Sequence, residues 1–490
     1  MMHFELRTNS NDNKKNEQQI LNSMHKQQTQ ITGALAVIRN LSFVIVLAFY
    51  GCNKTPDPAP KDDTQTVTVL PKHEVIYEVN VRNFSPQGNF AGVTAEIPRL
   101  KDLGIDILWL MPVHPIGVQN RTGTKGSPYS VKNYLEINPD FGTAEDLKIL
   151  VTSAHQNKIK VLIDWVANHT AWDNVWVNEH IDYYATINGQ RPATPAGQNW
   201  TDVVQLDYTN ANLRTAMADA MKYWVQEFGI DGFRCDYVSG VPVSFWQQAK
   251  SAIDPADTLI WLAESDSPQY MNVFDYDYAW GFSDKLNLFG ENKNVSALKN
   301  ACLALFNNTN YANKSKMVYI TNHDLNAYDG TEFTRFGANV FTMTVLFFTI
   351  YDMPLIYNGQ ELGINKSMGL FDVNKVPWTS VNQKMKTLVK NMIDLKHSQP
   401  ALENGQHRGS LTFYNTDKNT DILSYSRKKE NNDVLIILNL SGNAVKFKFD
   451  ENAPNGTFSD WLSSNESTLE FSANTEITIA ANGYQIWVKN

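Results

Sequence analysis

Four acidic residues close apolar, strand-like runs in the 490-residue chain, with basic residues beside them. Lys160-Val-Leu-Ile-Asp164 ends in an acid and is followed by Asn168-His169. The run 230–236 carries Arg234-Cys235-Asp236, in which Arg and Asp share one side of a strand by period two. The run 259–264 ends in Glu264, and 317–321 leads into Asn322-His323-Asp324. A lone Asp at a strand end is an ordinary helix cap. Four acids with an Arg and two His exceed what capping explains, because clustered carboxylates repel unless a site uses or neutralises them. A carboxylate pair suits glycosidic-bond hydrolysis: one, protonated and with a raised pKa, donates to the leaving oxygen, and the other attacks the sugar or activates water. The sequence gives no distance between carboxyls, so these residues alone leave retention and inversion both open.

Such a constellation needs a scaffold that gathers strand ends. Strand-like runs at 75–82, 105–110, 160–164, 230–236, 259–264, about 273–277, 317–321 and 354–357 alternate with helical patterns, notably 93–103, 145–156, 213–228 and 338–351. Alternation of this kind predicts a parallel sheet with helical crossovers. Eight units over roughly 320 residues favour a closed (β/α)8 TIM barrel, whose chemistry sits at the carboxyl ends of the strands. An open doubly wound sheet is the alternative, but no GxGxxG follows the first strand. After the third strand, 168–209 forms a short inserted domain with Trp172, Trp176, Tyr183, Tyr184 and Trp200; loops that long are usually functional. Beyond 399, short alternating runs at 410–414, 422–427, 434–440, 445–449 and 483–488 predict a C-terminal antiparallel β-sandwich. The α/β chain thus divides into 1–71, a barrel over 72–398 and a sandwich over 399–490.

Lys+Arg is 42 and Asp+Glu 51, a net charge of −9, and 42% of residues are hydrophobic. That excludes a mostly disordered chain and argues against nucleic acid as a partner, which needs a basic face. Cys52, Cys235 and Cys302 form no paired framework and no CxxC spacing. Residues 1–30 are polar and lack an apolar period, with Met24 as an alternative start. An apolar run over 41–50 then lies behind Lys26 and Arg39 and ends in Gly51-Cys52. It is short for a membrane span and suits a signal-peptide core. A small residue before Cys resembles a bacterial lipoprotein signal, which makes Cys52 the lipid attachment point and 53–68, rich in Pro, Asp, Lys and Thr, a tether. The expectation is export, with a lipid anchor holding the protein to a membrane in the periplasm or at the outer-membrane surface. An uncleaved anchor over 31–50 and an ordinary secretory signal are the alternatives.

Four motifs in order resemble those of the α-amylase family, glycoside hydrolase family thirteen: Asp164-Trp-Val-Ala-Asn168-His169 (DxVxNH), Gly232-Phe-Arg234-Cys-Asp236 (GFRxD), Leu262-Ala-Glu264 and Asn322-His323-Asp324 (NHD). Ser127-Pro-Tyr129, Leu206-Asp207 and Met353-Pro-Leu-Ile-Tyr-Asn-Gly-Gln-Glu361 resemble flanking family segments. The resemblance covers about residues 72–490. It implies an enzyme that cleaves α-glucosidic, mainly α-1,4, bonds of starch, maltodextrins or related α-glucans with retention. It implies Asp236 as nucleophile, Glu264 as general acid and then base, and Asp324 as binder of substrate hydroxyls. Arg234 would hold Asp236 ionised, His169 and His323 would hydrogen-bond the sugar, and Tyr129 would stack on it. Asp164 would either support Arg234 or act more directly, and both Arg234 and Asp164 are expected among the substrate-binding residues. Trp172 and Trp176 are further candidate sugar platforms.

The resemblance also raises a structural calcium, with Asn168 as its one candidate ligand. A Lys-His pair usually follows the nucleophile in this family, and its His backbone shares that ion. Here Tyr-Val-Ser-Gly follows Asp236, and no complete set of oxygens is evident. No other cofactor is implied. A non-catalytic protein of the same fold, either transporter-associated or starch-capturing, is the competing function; the complete triad argues against it. Within the enzyme class, α-1,6-glucosidase, neopullulanase or cyclomaltodextrinase, and transglycosylase stay open.

Overall fold

Eight short, buried strands close into a parallel ring. In the computed structural model, residues 72–311, 314–463 and 467–490 are described. The signal segment, the tether and Cys52 lie outside the described residues. Strands β1 (Ile76–Val79), β2 (Ile107–Leu110) and β3 (Lys160–Val166) come first. A small antiparallel hairpin, β4 (His169–Ala171) with β5 (Val203–Gln205), follows within the excursion read from the sequence. Then β6 (Gly232–Asp236), β7 (Ile260–Ala263), β8 (Tyr276–Tyr278), β9 (Ser315–Val318) and β10 (Met353–Tyr357) complete the ring. Its order is β1-β10-β9-β8-β7-β6-β3-β2, closed and parallel, as the alternation predicts.

Ile76, Ile107, Trp109, Leu162, Ile260, Leu262, Tyr276, Met317 and Leu355 fill the lumen. The barrel is therefore a packed core with its chemistry confined to one rim. Several of the surrounding helices start where side chains take up orphan N–H groups. Thr143 and Asp146 make a reciprocal capping box for Ala144–Gln156, and Asn210 caps Ala211–Phe228. The expected helix over 93–103 is two helices, Phe90–Thr94 and Ile97–Leu103. Pro98 explains the break: it has no N–H to donate and is tolerated only in the first turn of the second helix.

The C-terminal strands are β11 (Ser410–Tyr414), β12 (Ile422–Lys429), β13 (Asn432–Asn439), β14 (Val445–Lys448), β15 (Gly456–Asp460), β16 (Thr468–Phe471), β17 (Glu476–Ile479) and β18 (Tyr484–Lys489). Six form a sheet in the order β11-β12-β13-β18-β15-β16, and β14 pairs with β17 as a two-stranded ribbon. Period two divides β13 between two cores. Leu435 and Ile437 join Phe447, Ile477 and Ile479 of the ribbon, whereas Val434, Ile436 and Leu438 join the core around the barrel. Buried Arg427 donates to the carbonyl of Thr349 at 3.0 Å, and the Tyr425 hydroxyl meets Thr349 Oγ1 at 2.6 Å. Among the described residues, no helix is long and apolar enough to cross a membrane.

Candidate active site

On β6, Gly232, Arg234 and Asp236 point inward, while Phe233 and Cys235 pack outward in the surrounding core. Cys235 is fully buried there, as its place between two site residues suggests. Gly232 has φ +149°, and a Cβ on it would sit 2.0 Å from the Ile260 carbonyl, so only glycine lets β6 lie this close to β7. The register sets Asp164 beside Arg234 and Val166 beside Asp236. Glu264 directly follows β7, and the segment after β9 delivers Asn322-His323-Asp324. The Asn322 side chain accepts from Leu325 N at 2.8 Å and so fixes the turn that presents Asp324.

One guanidinium organises three of the acids. Arg234 is fully buried. Its Nη1 donates to Asp164 Oδ1 at 2.8 Å and to Asp236 Oδ1 at 3.0 Å, and its Nε donates to the Tyr278 hydroxyl at 3.1 Å. Its Nη2 lies 2.8 Å from Glu264 Oε1, an ion contact by distance whose N–H does not aim at the oxygen. The second Glu264 oxygen accepts from Tyr237 N at 2.6 Å. His323 forms the other positive centre. Its Nδ1 meets Glu78 Oε1 at 2.5 Å and its Nε2 meets Asp324 Oδ2 at 3.2 Å. The Tyr129 hydroxyl, 2.9 Å from His323 Nε2, donates to Asp164 Oδ2 at 3.1 Å and joins the two centres.

Five carboxylates thus face two cations, so the site holds protons more tightly than an exposed one would. Burial pushes Glu264 up to about 7, against the pull of Arg234 and with the help of Asp236. Burial pushes Asp236 up to about 6, again opposed by Arg234. Burial would raise Asp324 too, but the His323 charge outweighs it and holds Asp324 below its ordinary value. For His323 burial disfavours the charge, yet Asp324 and Glu78 outweigh that and keep it an imidazolium. His169 goes the other way: burial lowers it to about 4, so it is neutral. One acid that keeps its proton near neutrality beside others that do not is the division of labour acid–base cleavage requires.

Asp236, Glu264, Asp324, Tyr129, His169 and His323 all line one cleft of about 290 Å³, as their motifs predict. Arg234 and Asp164 do not line it. Both are fully buried behind the carboxylates, so they position other groups and do not touch a ligand in the cleft. That corrects their expected place among substrate binders. Trp172 and Trp176 are also corrected. Trp172 donates to the Thr201 carbonyl, and Trp176 packs on Tyr134 with centroids 4.8 Å apart; neither reaches the cleft. The aromatic walls are Trp200, Tyr237, Tyr328 and Phe371. Trp200 bridges His169 and Tyr237, with centroids at 5.4 and 5.2 Å. Asn168 lies outside the cleft lining, and both its oxygens accept from one side chain, that of Gln205.

Glu78 escapes the motif reading. Its signal is its position near the end of β1 on the inward face, which a longer run over 75–82 disguises as mid-strand. Glu78→Gln removes the anion beside His323, so the His323 pKa falls, as NMR titration of its ring would record. The loss of a charge-assisted hydrogen bond lowers kcat/KM by about 10- to 100-fold. An unchanged His323 titration would contradict the coupling.

A family profile described as "Alpha amylase, catalytic domain" matches residues 61–487. Alpha-amylase 2 of Dictyoglomus thermophilum is 24% identical over 418 residues, covering 80% of this chain and 70% of that protein. The maltogenic alpha-amylase of Bacillus acidopullulyticus is 27% identical over 430 residues, covering 79% and 70%. Among solved structures, a maltogenic alpha-amylase of Thermotoga neapolitana superposes with a TM-score of 0.76 at 28% identity, covering 85% of this chain and 98% of that one.

Proposed function

The chain belongs to the α-amylase family and is a glycoside hydrolase, and from that premise we propose that it cleaves mainly α-1,4 bonds of starch or maltodextrins through a glycosyl group carried on Asp236. The observation that carries this is the single guanidinium of Arg234 shared by Asp236 and Glu264 at the wall of the cleft. Asp236 attacks the anomeric carbon while Glu264 gives its proton to the departing glycosidic oxygen. Glu264, now a carboxylate, takes a proton from water, which displaces the sugar from Asp236. Asp324, ionised beside His323, accepts hydrogen bonds from sugar hydroxyls. Tyr129 offers its ring to the sugar's C–H face. The small hairpin and short excursion favour a polymeric substrate over a short one.

Soluble starch with the purified full chain gives new reducing ends that appear as α-anomers; a folded protein that releases none would refute the assignment. Turnover needs Asp236 ionised and Glu264 protonated. Activity therefore rises as pH climbs through about 6 and falls as it passes about 7. The expected kcat/KM profile is a narrow bell peaking between those values, and a plateau reaching pH 9 would exclude Glu264 as the acid. We propose in addition export with a lipid on Cys52, supported by the Gly51-Cys52 ending of the apolar run. Mass spectrometry of the mature N-terminal peptide checks this, and an unmodified Cys52 would refute it.

A further inference from the structure

The calcium implied beside Asn168 meets a site already filled from within the chain. A calcium ion takes six to eight oxygens at about 2.3–2.6 Å, each with a lone pair free to face it. Three oxygens do converge beside the hairpin: the main-chain carbonyl of Asn168, its side-chain Oδ1 and the carbonyl of Leu206. All three are turned toward one atom, Nε2 of Gln205, at 3.0, 3.0 and 3.2 Å. The Asn168 carbonyl accepts a further bond from Leu206 N at 3.1 Å. The Asn168 amide nitrogen lies 3.1 Å from His169 Nδ1, which orients Oδ1 toward Gln205. Backbone closes in beside Oδ1 as well: a Cβ on Gly240 would sit 2.2 Å from it. Gly240 falls in the stretch after Asp236 where the Lys-His pair is missing. Asn168 and its neighbours therefore do not fit a metal ion.

We infer that the side-chain amide of Gln205 replaces a structural calcium, so that this chain holds its cleft together without a metal. An amide NH₂ presents two partly positive hydrogens and can serve three acceptors through shared bonds. Gln205 stands on β5 opposite His169 on β4. Its side chain joins the hairpin to the segment that leaves β3. The same hairpin carries Val203 and, just before it, Trp200 and Asp202, all of which line the cleft. Gln205 is thus a positioning residue for His169 and the Trp200 wall. The inference goes beyond the proposed substrate and does not depend on it, because its test reads stability.

Thermal unfolding of the full chain is measured in EDTA and in millimolar CaCl2 for wild type, Gln205→Met and Gln205→Glu. Wild type gives the same Tm in both. Gln205→Met keeps the volume but removes the donor, so its Tm is lower in both, with KM raised more than kcat is lowered. Gln205→Glu sets an anion against three oxygens; its Tm is lower in EDTA and climbs back in CaCl2, because a cation can then neutralise the cluster. A wild-type Tm that falls in EDTA overturns the inference. So does Gln205→Met with the wild-type Tm, or a Gln205→Glu protein indifferent to calcium. The wild-type arm decides even if a variant fails to fold.

Discussion

Glu264→Gln lowers kcat on soluble starch by about 10³-fold or more, because an amide can neither give a proton to the leaving oxygen nor take one from water. Asp236→Asn lowers it at least as far, since an amide is a poor nucleophile at the anomeric carbon. Both variants keep the shape of the residue they replace, so binding of maltooligosaccharides survives. Stability separates this from misfolding. Burial raises the Glu264 pKa, so ionisation penalises the folded state above the unfolded pKa, and the penalty is complete once pH exceeds about 7. Glu264→Gln lifts that penalty, so at pH 8 its Tm equals or exceeds wild type. A variant that loses turnover only because it loses Tm would contradict the account.

Arg234→Met acts on both stability and turnover. Arg234 is fully buried and touches Asp164, Asp236 and Glu264. Its guanidinium also lies 5.0 Å from the Trp109 ring and 5.6 Å from that of Tyr278. Removing one partner of a buried ion cluster leaves uncompensated charge, at a cost of about 3–5 kcal/mol. Methionine fills much of the volume, so the loss is electrostatic and not a cavity. The pH dependence identifies it. Without Arg234 the three carboxyls have folded pKa values raised further above their unfolded ones. Their cost is present at pH above the folded values and vanishes below the unfolded ones. Arg234→Met therefore recovers Tm relative to wild type as pH falls from 8 toward 5. The acidic limb of its residual activity moves upward, because Asp236 now ionises at higher pH. A Tm deficit independent of pH would point to packing instead.

The barrel is legible in the sequence because its strands are buried runs with helical patterns between them, and period two on Arg234-Cys235-Asp236 already sets two acid–base partners on one face. Three strand ends gather Asp236, Glu264 and Asp324 in the cleft, a fourth sets Asp164 behind them, and that convergence follows from topology without any distance. What escapes is decided by contacts between segments far apart in the chain. Glu78 meets His323 across 245 positions, and no local spacing records that. The role of Gln205 arises from the hairpin register, and the aromatic wall of Trp200 and Tyr237 arises from loop conformation. Trp172 and Trp176 look like equal candidates by composition but serve the core. In the C-terminal domain β15, β16 and β17 pass unnoticed: segments such as Gly456–Asp460 alternate weakly, and only the paired strands and the shared core make them sheet.

In the proposed reaction Asp236 carries the sugar. Glu264→Gln incubated with α-maltosyl fluoride tests it most directly. Fluoride leaves without needing a proton, so the first step proceeds, while the second lacks its base and the glycosyl-enzyme accumulates. Digestion and mass spectrometry should place one maltosyl group on the peptide containing Gly232-Phe-Arg-Cys-Asp236, with fragmentation assigning it to Asp236. Fluoride release with no adduct, or a maltosyl group on any other residue, would contradict the account.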